Sequence, residues 1–114
     1  LITVQISRKE DGRIHGFEVK GHAGYADPGQ DIVCAGVSSV TVGTVNSIEA
    51  LTGTIMETRM KGGFLSAVLP SEEESTNSGQ VQLLLESMVL MLQGIADSYR
   101  EYIQIKEMTT KRRR

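Results

Sequence analysis

Apolar and polar side chains alternate at the start of the chain. Ile2, Val4 and Ile6 are separated by Thr3, Gln5 and Ser7. A period of two belongs to a strand with one buried face. Asp11-Gly12 follows, a hairpin pair whose members tolerate positive φ. Arg13 to Lys20 resume strand character, with Phe17 and Val19 on one face. Gly16 interrupts the alternation and marks an expected bulge. Residues 21–30 carry Gly21, Gly24, Pro28 and Gly29 and read as a loop.

The period then changes. Val33, Val37, Val40, Thr44, Ile48 and Leu51 recur every three or four residues, over a run too long for one strand. The valines favour a strand locally, but length and spacing predict a helix over 32–51, with Asp31 as N-cap and Gly53 as C-cap. Its other side is rich in Ala35, Gly36, Ser39 and Gly43, which predicts close approach to a neighbour and deep burial. Residues 55–60 and 64–69 read as a second hairpin around Lys61-Gly62-Gly63. Glu72 to Ser78 read as a polar loop, with Glu72-Glu73-Glu74 solvated. Asn77 and Gln80 have the spacing of a capping box. Val81, Leu84, Leu85, Met88, Leu92, Ile95 and Tyr99 form a second helical stripe. Leu83, Leu90 and Met91 widen it beyond one core face, as deep burial or a homodimer face would require. Tyr102, Ile103 and Ile105 extend this helix or add a last strand.

The order ββαββα(β) predicts an α+β fold: an antiparallel four- to five-stranded sheet with two helices packed on one face. Residues 1–107 form the expected single domain and 108–114 a basic, disordered tail. A length of 114 residues suits one domain.

Charge is uneven. Twelve Lys and Arg face fourteen Asp and Glu, and four of the basic residues are Lys111, Arg112, Arg113 and Arg114. The acidic body opposes nucleic-acid binding, which needs a basic surface. Aromatics are 4% of residues and tryptophan is absent, which opposes a base-stacking platform. No run reaches the ~18 consecutive apolar residues of a membrane span. The opening residues lack the order of a secretion signal. A cytoplasmic protein with a reduced thiol is the expectation. One cysteine excludes an intrachain disulfide and a multi-cysteine zinc site.

That cysteine stands in the densest cluster of reactive side chains, from Gly21-His22 to Asp31-Ile32-Val33-Cys34. With Asp31 as N-cap, Cys34 falls in the first helical turn, where unpaired amides and the helix dipole stabilise an anion. An imidazolium from His22 adds to this if the glycine-rich loop folds back. The first-turn amides also suit a tetrahedral oxyanion. Plainer readings exist for each residue. Cys34 can be an inert core residue, His22 a turn cap, Asp31 only an N-cap, and Ser38 small-residue packing. His15, within a strand, reads as a satisfied polar side chain.

Gly21-His22-Ala23 followed by Asp31-Ile32-Val33-Cys34-Ala35-Gly36-Val37-Ser38 resembles the signature of the ribosomal-processing cysteine protease family, Prp. The chain's length and element order are also similar to that family over residues 1–107. The resemblance implies a homodimeric α+β cysteine endopeptidase without metal or other cofactor. Its implied substrate is the N-terminal peptide of a large-subunit ribosomal protein precursor, cut after an aromatic residue. Cys34 would be the nucleophile and His22 the base. Asp31 and Ser38 would orient the site or touch substrate, and Gly21 would keep the pocket clear. The 23–30 loop would be the mobile part of the motif. The tail from Lys111 matches nothing in the family. Two competing classes are a non-enzymatic ribosome-associated module, with Cys34 in the core, and a thiol acyltransferase or redox protein. The redox version lacks a resolving cysteine.

Overall fold

The computed structural model describes residues 1–70 and 77–110. The Glu72–Glu74 run and the Lys111–Arg114 tail lie outside them. The elements are β1 (Ile2–Lys9), β2 (Ile14–Lys20), α1 (Ile32–Thr52), β3 (Glu57–Lys61), β4 (Phe64–Val68), α2 (Ser78–Ser98) and β5 (Ile103–Thr110). They form one five-stranded sheet in the order β3-β4-β2-β1-β5. Ile2, Val4, Ile6, Ile14 and Phe17 are buried beneath Val33, Val37 and Ile48 of α1 and Leu85, Met88 and Leu92 of α2. Burial on this scale contributes about 1.5–3 kcal/mol for each large apolar side chain. Thr3, Gln5, Glu18, Lys20, Gln104 and Lys106 occupy the opposite, solvated face. The two layers are therefore the expected ones.

The sheet is mixed, because β5 runs parallel to β1, pairing Ile2 with Ile103 through Lys9 with Thr110. The helices explain the direction. Asn77 Nδ2 donates to Thr52 O at 2.8 Å, so α2 starts where α1 ends. Gly36 near the start of α1 faces Ile95 near the end of α2. The helices are antiparallel, and α2 delivers the chain to the end of the sheet where β1 begins. Ile2 N–H donates to Tyr102 O there at 2.8 Å. β5 continues through Met108–Thr110, three residues beyond the boundary expected for the tail.

Other local expectations differ in detail. Asn77 is the N-cap residue of α2, yet its side chain does not cap the helix. It reaches back to α1 instead. The small-residue side of α1 is not deeply buried: Ala35 and Ser39 are exposed, while Gly36 faces Ile95 of α2. The buried stripe is Val33, Val37, Thr41, Thr44 and Ile48, while Leu51 is 71% exposed. Thr41 and Thr44 fit the apolar side because their hydroxyls donate to the carbonyls of Val37 and Val40 at 2.8 and 2.7 Å. Both helices are long and apolar enough to cross a bilayer, and the buried stripe of each packs on the sheet.

The bulge falls where expected. Ser7 pairs with Gly16 and Arg8 with Ile14, leaving His15 extra. A Cβ on Gly16 would lie 2.6 Å from Ala67 O, so only glycine admits β4 at this distance. Beyond the bulge, Gln82 of α2 accepts from Ile14 N–H at 2.7 Å and donates to Ile14 O at 2.8 Å. Arg8 meets Glu86 of α2 at 2.6 Å and Glu107 of β5 at 2.7 Å. Its hydrogen bonds hold the Glu86 carboxyl below its ordinary value. This network locks the end of the sheet remote from Cys34.

Candidate active site

Three main-chain contacts build the site at the end of β2. Gly21 has φ +91°, and a Cβ there would collide with the Leu1 carbonyl. Its N–H donates to Gly63 O at 2.8 Å. Leu1 N donates to His22 O at 2.7 Å. The backbone on both sides of the His22 Cα is thus fixed by neighbouring segments. Gly21 is required by backbone packing as well as by any need for an open pocket.

Asp31 starts α1. Its Oδ1 accepts from Val33 N–H and Cys34 N–H, each at 3.0 Å, and its Oδ2 accepts from Tyr25 N–H at 3.0 Å. The carboxylate therefore ties the loop to the helix start, and its partners are main-chain amides and the Cys34 thiol rather than His22. Desolvation pushes its pKa up, but the amides of Cys34, Tyr25 and Ala26, together with the Cys34 thiol, outweigh that and hold it below the ordinary 3.8. A depressed carboxylate pKa adds stability that is complete above the ordinary value and is lost as pH falls through the folded one. Asp31→Ala is expected to lower the melting temperature by several degrees at pH 7. The difference from wild type should shrink below about pH 4; thermal melts across pH 2.5–7 measure it.

Cys34 is half-buried in the first turn of α1. Ala23 N–H donates to its Sγ at 3.3 Å, and the thiol also interacts with the Asp31 carboxylate. The folded-back loop thus brings an amide to the thiol. The first-turn amides expected to serve an oxyanion are already engaged. Val33 and Cys34 N–H meet Asp31 Oδ1, and Ala35 N–H meets Asp31 O at 3.0 Å.

His22 and Cys34 line one cavity of about 210 Å³, with Ser38 one turn along α1. Val37 and Val42 of α1 and Met60 and Phe64 of the β3–β4 hairpin give it apolar walls. The His22 ring rests on Gly63: a Cβ there would be 2.9 Å from Nε2. The site therefore unites Gly21, His22, Cys34 and Ser38, while Asp31 acts from behind the helix start.

Three features were not anticipated from sequence. They are Gly63 against the imidazole, the Ala23 amide at the sulfur, and the anchoring of the loop. Tyr25 meets Tyr99 and Tyr102 edge-on, at centroid distances of 5.6 and 5.2 Å. Such pairs contribute about 0.5–1.5 kcal/mol each. The first half of the loop expected to be mobile is held against the end of α2.

A thiol at a helix start, an amide on its sulfur and an imidazole on the same apolar cavity make up the working parts of a thiol hydrolase. The chain belongs to the cysteine protease Prp family, whose model matches residues 1–104. It is 34% identical over 107 residues to the ribosomal processing cysteine protease Prp of Bacillus subtilis (strain 168), spanning 92% of this chain and 96% of that one. The Staphylococcus aureus (strain Mu50) protein of the same name is 35% identical over 107 residues, spanning 92% and 97%. Among solved structures, S. aureus Prp with a covalently linked product peptide superposes with a TM-score of 0.87 at 34% identity, covering 95% of this chain and all of that one. SMU.848 from Streptococcus mutans superposes at 0.82 with 32% identity, covering 96% of each chain. The fold class inferred from sequence is that of these relatives. The chain is a cysteine protease, which sets aside the non-enzymatic and redox readings.

Proposed function

We propose that this protease removes the N-terminal extension from the precursor of a large-subunit ribosomal protein in the cytoplasm. Cys34 is the nucleophile and His22 its proton acceptor and donor. The observation that carries this reading is the convergence of Cys34 and His22 on one apolar cavity, with an amide donor on the sulfur. Support for a peptide substrate comes from S. aureus Prp, solved with a substrate peptide and with a covalently linked product peptide. Support for the ribosomal precursor comes from the relatives' names.

The Cys34 proton passes to His22, and the sulfur attacks the scissile carbonyl carbon. The oxyanion then forms on the carbon bonded to the sulfur, within reach of the Ala23 N–H that the thiol releases. Collapse expels the amine, which takes the proton from His22. Water, deprotonated by His22, then frees the acyl group and restores the thiol. The cavity beside Cys34 accepts an aromatic side chain on the acyl side of the cut. Mass spectrometry of the purified precursor after incubation with wild-type protein tests this. One cut after an aromatic residue near the N-terminus is expected, and an intact precursor overturns the reading.

The homodimer is part of the same proposal. Leu83 and Leu90 are 70% and 69% exposed on one outer stripe of α2, with Met91 beside them. Leu90→Lys places a charge on that stripe and should convert a sedimenting dimer to monomer. A monomeric wild type, or an undisturbed variant dimer, counts against it.

A further inference from the structure

The hairpin beside the site has an open edge. β3 is the last strand of the sheet, pairs among the described residues with β4 alone and has all five residues exposed. Hydrogen-bond parity fixes which of its groups face outward. Gly21 N–H donates to Gly63 O and Leu69 N–H to His15 O, so the odd-numbered residues of β4 bond to β2. Its even-numbered residues, Phe64, Ser66 and Val68, therefore bond to Lys61, Arg59 and Glu57. Thr58 and Met60 occupy the non-bonded pairs, opposite Ala67 and Leu65. Their N–H and C=O groups point to the free edge. Met60 and Lys61 also line the cavity that holds Cys34 and His22.

We propose that substrate docks as a sixth strand on β3, its main chain hydrogen-bonded to Thr58 and Met60. This rests on the peptidase reading and adds where the peptide lies. An unpaired edge offers an extended peptide main-chain bonds independent of sequence, while pockets read alternate side chains. The edge runs toward the catalytic cavity, so a strand laid along it enters the site in extended form. A side chain on the helix-facing side of that strand meets Met60. The next one points to solvent.

A scan of N-methylated substrate peptides against wild-type protein tests this. Methylation at alternate residues, on one side of the scissile bond, should lower kcat/KM about tenfold, and the intervening positions should matter little. A flat profile, or one with no period of two, overturns the docking mode. Failure to cut the unmodified peptide overturns the peptidase reading instead. On the enzyme side, proline is tolerated on an edge whose N–H faces outward. Thr58→Pro should show kcat/KM about tenfold below Thr58→Ala, which keeps the amide. Equal values in two folded variants overturn the proposal. Should Thr58→Pro fail to fold, the peptide scan still decides.

Discussion

Cys34→Ala is expected to lower cleavage of the precursor by at least about 10⁴-fold while leaving peptide binding in place. The size follows from what is removed. Without the sulfur no acyl-enzyme forms, and losing a nucleophile that acts with its base removes most of the rate above the uncatalysed one. The fold should survive. Cys34 is half-buried, Val33 and Val37 carry the burial of the first turns of α1, and the Asp31 cap acts on main-chain amides that alanine retains. The loss should therefore appear in kcat, with the dissociation constant of an uncut peptide within a few-fold of wild type. Incubation with peptide and intact-mass measurement should also show a covalent adduct only where the sulfur is present. Cleavage by the alanine variant at the wild-type rate would remove Cys34 from the mechanism. A loss of binding equal to the loss of rate would make it a structural residue instead.

Why that cysteine was legible, and its neighbours less so, has a physical basis. Cys34 and His22 stand on either side of a loop whose glycines and helix cap are local signals, and the motif spans only the residues between them. Asp31 was legible for the same reason, since an N-cap acts within three residues of itself. The alternation in β1 and β2, the Gly16 bulge and the spacing of both helices are likewise local. What escaped depends on strand order. Gly63 reads as an ordinary turn residue until β4 pairs with β2 and sets the hairpin tip beside His22. β5 was ambiguous because Tyr102–Ile105 is too short to declare a period. Its parallel pairing is decided by α2 packing antiparallel to α1. Tyr25 of the loop lies more than seventy residues before Tyr99 and Tyr102, the rings that hold it. The exposed Leu51 shows the same limit: helical spacing tells which residues share a face, not where the neighbouring layer stops.

Gly63 carries the second large effect. Gly63→Ala is expected to lower kcat about 100-fold with a small change in KM, whereas Gly62→Ala stays near wild type. Gly63 touches His22 in two ways. Its carbonyl accepts from Gly21 N–H at 2.8 Å, which fixes the chain just before the histidine. Its α-carbon supports the ring, so that an added methyl would sit 2.9 Å from Nε2. Either the imidazole turns away or the hairpin tip retreats, and a 1 Å misplacement of a reacting group can cost ~10² in rate. The backbone adds a second penalty, since φ is +75° and a side chain there is strained by about 1–2 kcal/mol. Gly62 has open space around its Cβ position and no such φ, so it reports on the turn alone. Strain lowers the melting temperature, but it does not by itself move the histidine. The deciding readout is therefore the His22 ring resonance, taken with the pH profile of kcat on folded protein. A shifted resonance and profile in Gly63→Ala, unchanged in Gly62→Ala, makes Gly63 a positioning residue. A lower melting temperature with both unchanged and kcat intact would leave it a turn residue and nothing more.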